Sequence, residues 1–264
     1  MVWESHHLTS LDAEGYPTLD AIAQAPQQPS MNTLSKPAAF VCVDGRTYWC
    51  KGNTPNAQVQ QGLSAELIAG RLANLVNIGG PCRVVRVRPE ILPTDGTLNH
   101  LLGVVVGSQH HNGMEHVRNL APMVANGTFP AGVVDASSRA RTIAFQSWIG
   151  AGDAQLMMSL TTGKMVTIDH GECFQSLDPS VAPALVLVDI PGVGIDVGKD
   201  MALMDMALGA IETLDDQRIL EAVSCIPTGD AWNSDAGRRL AVAEWLVARK
   251  GMLRNTMEAW ITSP

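Results

Sequence analysis

Four residues far apart in the chain carry the chemistry that this sequence can do: Lys51, Glu66, Asp153 and Asp169. Lys51 closes the β-prone run Arg46-Thr47-Tyr48-Trp49-Cys50. Glu66 lies in a helical stretch among the small residues Ala69, Gly70 and Ala73, where a carboxylate can approach another element closely. Asp153 follows a helix end in Trp148-Ile149-Gly150-Ala151-Gly152, and Asp169 ends a short strand in Ile168-Asp169-His170-Gly171. A strand lysine, a helix glutamate, a loop aspartate and a strand-end aspartate with a glycine two residues on is the order that phosphoryl transfer from ATP uses. There the ammonium neutralises the α- and β-phosphates, and the glutamate holds the ammonium in place. The first aspartate accepts or orients the substrate hydroxyl. The second binds Mg²⁺, a hard cation that prefers carboxylate oxygen. Taken singly, each residue reads as a solvated surface group, since glutamate and lysine are mostly exposed. Their order and placement carry the inference.

Two other groupings do not reach a chemistry. In Gly192-Val193-Gly194-Ile195-Asp196-Val197-Gly198-Lys199-Asp200, the spacing departs from a phosphate-binding loop, Asp200 stands where a hydroxyl is needed, and Asp196 would repel phosphate. His110, His111 and His116 have no helical Glu or Cys partner and flank Asn112-Gly113, so they read as a surface turn rather than a metal site.

The elements that must position the four residues are legible in outline. Phe40–Val43 and Arg46–Cys50 flank Asp44-Gly45, the signal of a tight hairpin with positive φ at both turn residues. A helix is expected over Leu63–Val76, with Ile68, Leu72, Leu75 and Val76 on one face. Arg83–Val87, Leu101–Val106 and Lys164–Ile168 read as strands. Arg139–Ile149, Met201–Ile211, Asp215–Val223 and Ser234 to about Ile261 read as helices, the last with Ser234 as N-cap. Residues 1–38 read as a polar lead-in with a short helix at Leu19–Ala23. The plan is α+β: a small antiparallel β lobe with one helix over residues 1–107, then a larger helical lobe over 108–264. Ligands prefer the cleft between such lobes.

Composition bounds the function classes. The chain has 264 residues, 46% hydrophobic and 17% charged, with a net charge of −8. That balance argues for a folded chain and against a nucleic-acid partner, which needs clustered cations. No apolar run approaches a membrane span, and Met1–Thr9 holds no apolar block of a secretory signal. Five cysteines without a Cys-x-x-Cys pair fit reduced thiols in a cytoplasmic setting.

The sequence resembles the HipA-like kinases, in a compact form. The resemblance rests on Val43–Lys51, Ala65–Leu72, Gly103–Ser108, Phe145–Ile149 with Asp153, Ile168–Phe174, Cys225-Ile226-Pro227 and Leu246–Lys250, and runs from about residue 36 to 255. It implies a two-lobed protein-kinase-like fold and ATP-dependent transfer to a Ser/Thr hydroxyl of a protein, often in a toxin–antitoxin setting. By position Lys51 is then the phosphate-binding lysine, Glu66 its partner, Asp153 the catalytic aspartate and Asp169 a Mg²⁺ ligand helped by Gln155. Ser35, in the glycine-free loop Ser30–Lys36, and Gly107 and Ser108, on the approach to the hinge, would lie on the nucleotide side. The catalytic loop departs from the family: Ala151, Ala154 and Met158 stand where an asparagine, a basic residue and a metal-binding asparagine are usual. A thioether is a weak ligand for Mg²⁺. The alternative implied is therefore a pseudokinase that acts as a regulatory protein-binding module.

Overall fold

The structure is a computed structural model that describes residues 3–13, 15–26, 36–52, 57–129, 133–194, 196–227, 232 and 234–263. Ser35 and the rest of the glycine-free loop up to it lie outside the described residues.

Strands β1 (Thr18–Gln24), β2 (Ala38–Cys42), β3 (Thr47–Lys51), β4 (Cys82–Val87) and β5 (Gly103–Gln109) close into a barrel in the order β1-β2-β3-β5-β4. The expected antiparallel lobe is thus corrected to a closed barrel in which β1 runs parallel to β4. The cause is β1 itself, expected as a short helix at Leu19–Ala23. It bonds antiparallel to β2 on one side and to β4 on the other, so that neither edge is left open. Phe40, Cys42, Tyr48, Cys50, Val85, Val87 and Val105 fill the interior. The β2–β3 hairpin forms, but only Gly45 has positive φ, at 76°. Gly45 N–H donates to the Cys42 carbonyl at 2.9 Å, and the Asp44 side chain accepts from Arg46 N–H at 3.1 Å and Tyr48 O–H at 2.8 Å. Side-chain capping by aspartate replaces the second positive φ.

Helix α1 (Ser5–Asp12) precedes the barrel, where the sequence reads as a polar lead-in. Leu8 is buried, and Asp12 binds Arg239 of the last helix with contacts of 2.9 and 2.7 Å, so the segment is stapled into the core. Helix α2 (Ala57–Leu75) packs on β4 and β5, with Leu67, Ala69, Leu72 and Ala73 fully buried. Gly70 allows the close approach: a Cβ added there would overlap the Cβ of Cys82 on β4.

A second sheet pairs β6 (Met114–His116), β7 (Gln155–Ser159) and β8 (Met165–Ile168), all antiparallel. The short helix α3 (Ala121–Ala125) follows β6. Helix α4 (Ala136–Ile149) starts on the Asp135 cap and ends at Gly150 in the left-handed region. It packs against α5 (Met201–Glu212) and α7 (Ala236–Thr262), with α6 (Asp216–Val223) beside α7. Trp148 is fully buried and donates Nε1–H to the Leu246 carbonyl at 2.9 Å. Helix α7 is capped by Asp235, not by the expected Ser234, whose hydroxyl is buried. Between β8 and α5 the described residues form no helix or strand, and this run contains the glycine-lysine segment set aside above. Arg139 from α4 donates to the Val188 carbonyl, and Arg249 from α7 donates to the Val181 carbonyl. Among the described residues no helix is long and apolar enough to cross a membrane.

Candidate active site

The site begins with a buried cation. Lys51, at the end of β3, points its ammonium at Glu66 Oε2 (3.1 Å) and Asp169 Oδ1 (2.5 Å). Glu66, one of the most buried carboxylates at 2% exposure, also accepts from Ser108 Oγ at 2.9 Å and from His170 N–H at 2.8 Å. Three donors therefore replace the water it has lost, which is what a buried charge requires. Burial opposes the Lys51 charge, but Glu66 and Asp169 outweigh it and hold the ammonium protonated above its ordinary range. Burial likewise pushes the Glu66 carboxyl up, and Lys51, then His170, more than reverse that. The pair is charged at neutral pH. Burial holds the His170 imidazole below its usual value, so it is neutral there.

The His170 N–H bond fixes the segment that carries Asp169. Asp169 itself adopts φ 54°, a left-handed conformation that costs a non-glycine residue free energy, and it stands between the Lys51 contact and the His170 anchor. Gly171 follows against Gly62 of α2, where an added side chain would press on the facing backbone at 3.2 Å.

Asp153 joins the cluster through Gln155. The Gln155 amide nitrogen donates to Asp153 Oδ2 at 2.8 Å and lies 3.4 Å from Asp169 Oδ2. Its orientation is set from outside. Arg118 N–H donates to His116 Nδ1 at 3.1 Å, which leaves the proton of a neutral ring on Nε2. That Nε2 faces Gln155 Oε1 at 3.0 Å, so the amide oxygen accepts and the NH₂ group turns to the acids. The loop holding Asp153 is pinned by Ala151 N–H to the Gln146 carbonyl and Gly152 N–H to the Glu172 carbonyl. Arg118 Nη2 lies 2.9 Å from the second Asp153 oxygen, Oδ1.

Of the sequence-derived candidates, Lys51, Glu66, Ser108 and Asp169 meet directly, and Asp153 and Gln155 adjoin them. Three placements differ from expectation. Ser108 serves the glutamate, by hydrogen bond. Gly107 lies apart from the acids, its α-carbon against Val85 and Tyr48 of the barrel interior. Gln155 presents N–H donors, so it bridges the two acids instead of offering them a ligand oxygen. Strand β7 begins at Gln155, so Met158 is buried with Val117, Leu120 and Leu156, away from the acids. His116 and Arg118 were missed: His116 reads as part of a surface turn, and no local pattern links either residue to Asp153. Only the β6–β7 pairing brings them there.

The carboxylate oxygens of Asp153 and Asp169 form the hard donor set that suits Mg²⁺. Burial pushes the Cys50 and Cys173 thiols well above the ordinary range and those of Cys42 and Cys82 up to about 12, which argues against thiolate chemistry at these four.

The fold has counterparts among solved structures. CtkA, a proinflammatory kinase of Helicobacter pylori, matches with a TM-score of 0.56 and 10% identity over 93% of this chain and 98% of that one. CtTel1 in its open conformation matches with a TM-score of 0.45 and 17% identity over 89% of this chain and 12% of that one. The Golgi casein kinase with Mn/ADP bound gives a TM-score of 0.43 and 10% identity over 97% and 75%. The likeness to CtkA establishes a kinase-like fold. No family model matches the sequence. No curated protein matches it either.

Proposed function

We propose that this chain is a HipA-like, ATP-dependent phosphotransferase that acts on a Ser/Thr hydroxyl of a protein in a cytoplasmic, toxin-like setting. The observation that carries the reading is the buried Lys51–Glu66 pair touching Asp169, with Asp153 one side chain further on. Lys51 would hold the α- and β-phosphates, fixed in place by Glu66, and Ser108 would keep Glu66 aligned. Asp153 would orient the acceptor hydroxyl. Asp169, with Asp153, would hold Mg²⁺, which when bound neutralises phosphate charge. In this reading residues 1–107 and 108–264 act as two lobes with the acids at their junction.

A second reading, a pseudokinase acting as a regulatory binding module, is favoured by one observation: both oxygens of Asp153 are already engaged, by Arg118 and by Gln155. Melting the protein with ATP, with and without Mg²⁺, and following transfer of labelled phosphate to a hydroxyl-rich protein separates the two. The kinase reading expects Mg²⁺-dependent stabilisation and label transfer that Asp153→Ala and Asp169→Ala each abolish. Stabilisation without transfer selects the pseudokinase. No stabilisation by any nucleotide overturns the kinase reading, and label transfer that both aspartate variants abolish overturns the pseudokinase.

A further inference from the structure

We propose that Arg118 is the residue that contacts the terminal phosphate of the bound nucleotide, supplying from the β6 corner the cation that the catalytic loop lacks. The inference rests on the ATP-site reading above and deepens it.

The side chains that touch the two aspartates form an unbroken line. Lys51 meets Asp169, Asp169 neighbours the Gln155 amide, the amide meets Asp153, and Asp153 meets Arg118. A cation thus stands at each end of two carboxylates. Lys51 contacts the buried Glu66 and the half-buried Asp169 and serves the inner end. At the outer end the residue after Asp153 is Ala154, which offers no charge. A triphosphate running from Lys51 toward Asp153 brings its last phosphate to two carboxylates, and a single Mg²⁺ held by them offsets only part of that repulsion. Arg118 is the cation already there.

Its root is built to hold it. Val117 is buried in the small cluster with Leu156 and Met158, and the Arg118 backbone N–H is tied to His116. The guanidinium beyond is open: it is 65% exposed, and its only acceptor among the described residues is Asp153 Oδ1. A guanidinium has five N–H donors in a planar fork, so most of them face solvent, in the geometry that suits a phosphate. An exposed ion pair of this kind contributes little to stability.

The test compares Mg·ATP and Mg·ADP affinities by calorimetry for the unmodified chain, Arg118→Ala and Arg118→Lys. The unmodified chain is expected to bind ATP about tenfold tighter than ADP, because a charge-assisted contact contributes about 1.5 kcal/mol. Arg118→Ala is expected to bring that ratio to near one, with ADP affinity and melting temperature unchanged. Arg118→Lys restores part of it, as a point charge without the fork. A ratio of one in the unmodified chain, a ratio that Arg118→Ala leaves alone, or equal loss of both nucleotides overturns the inference and leaves the ATP-site reading standing. Failure of the unmodified chain to bind either nucleotide overturns that reading and this inference together.

Discussion

Glu66 is bonded to Lys51 of the barrel and to the backbone of His170 beside Asp169, so one helix carboxylate ties a barrel strand to the segment that carries Asp169. Removing the ammonium leaves that carboxylate buried with two neutral donors, Ser108 and His170 N–H. Lys51→Met is therefore expected to destabilise the fold by about 3 kcal/mol and to abolish any nucleotide-induced rise in melting temperature. The double variant Lys51→Met/Glu66→Gln is expected to recover stability while staying unable to bind nucleotide. Denaturant unfolding and thermal shift check the two halves separately. Full nucleotide response in Lys51→Met would remove Lys51 from the site.

Alanine for glycine is expected to have opposite signs at two helical positions. At Gly70 the new Cβ meets Cβ of Cys82, and both elements are locked in the core, so Gly70→Ala should cost about 1 to 3 kcal/mol. At Gly251 on α7 nothing lies within 4 Å, and alanine should stabilise by up to about 1 kcal/mol. Helix propensity alone gives both the same sign, so equal shifts in the two melting curves would refute the packing argument.

The elements that were legible in the sequence were those whose identity is decided locally. The β2–β3 run and the helices from α4 onward have the right period and punctuation and appear within a few residues of expectation, while α2, expected from Leu63, begins at Ala57 and ends at Leu75. The misses were decided at long range. Thr18–Gln24 has no strong alternation and becomes β1 only because two barrel edges wait for it, on β2 and on β4. Met114–His116 is three residues long and exists as a strand only through β7. The same split runs through the site. Lys51, Glu66, Asp153 and Asp169 were visible from residue type and order. The work of His116 and Arg118 was not, since it depends on where β6 pairs.

The first helix offers a pH test. Asp12 accepts from both guanidinium Nη atoms of Arg239 and from the Cys225 backbone N–H at 2.7 Å. The Arg239 bonds hold its carboxyl below the ordinary range, against some burial. The folded chain therefore keeps this group ionised to lower pH than the unfolded chain does. The stability it gives is whole above the unfolded value, near pH 4, and is lost as acid passes through the lower folded value. At neutral pH Asp12→Asn should cost about 2 kcal/mol. The gap between the two proteins should stay constant above pH 5 and shrink below pH 4. A gap that widened in acid would contradict the ion pair.

The bridge between the two aspartates makes the sharpest case, because one atom decides its sign. With Gln155 the group between Asp153 and Asp169 is a neutral donor, and with Lys51 and Arg118 at the two ends the carboxylates tolerate each other without a metal ion. Gln155→Glu exchanges that donor for a third acceptor. His116 Nε2–H still satisfies one oxygen of the new side chain, so the ring stays put and the second oxygen faces the acids. Like charges at such separations repel, and in metal-free buffer the variant should lose about 1 to 3 kcal/mol of stability. The same three oxygens form a better seat for a hard divalent ion. Millimolar Mg²⁺ or Mn²⁺ should therefore raise the melting temperature of Gln155→Glu by several degrees, and by less in the unmodified chain. Ca²⁺, which accepts more ligands at longer distance, and K⁺ at equal ionic strength serve as controls for geometry and for simple screening. A variant as stable as the parent without metal, or one that K⁺ restores as well as Mg²⁺ does, would mean that the two aspartates are too far apart in solution to share an ion.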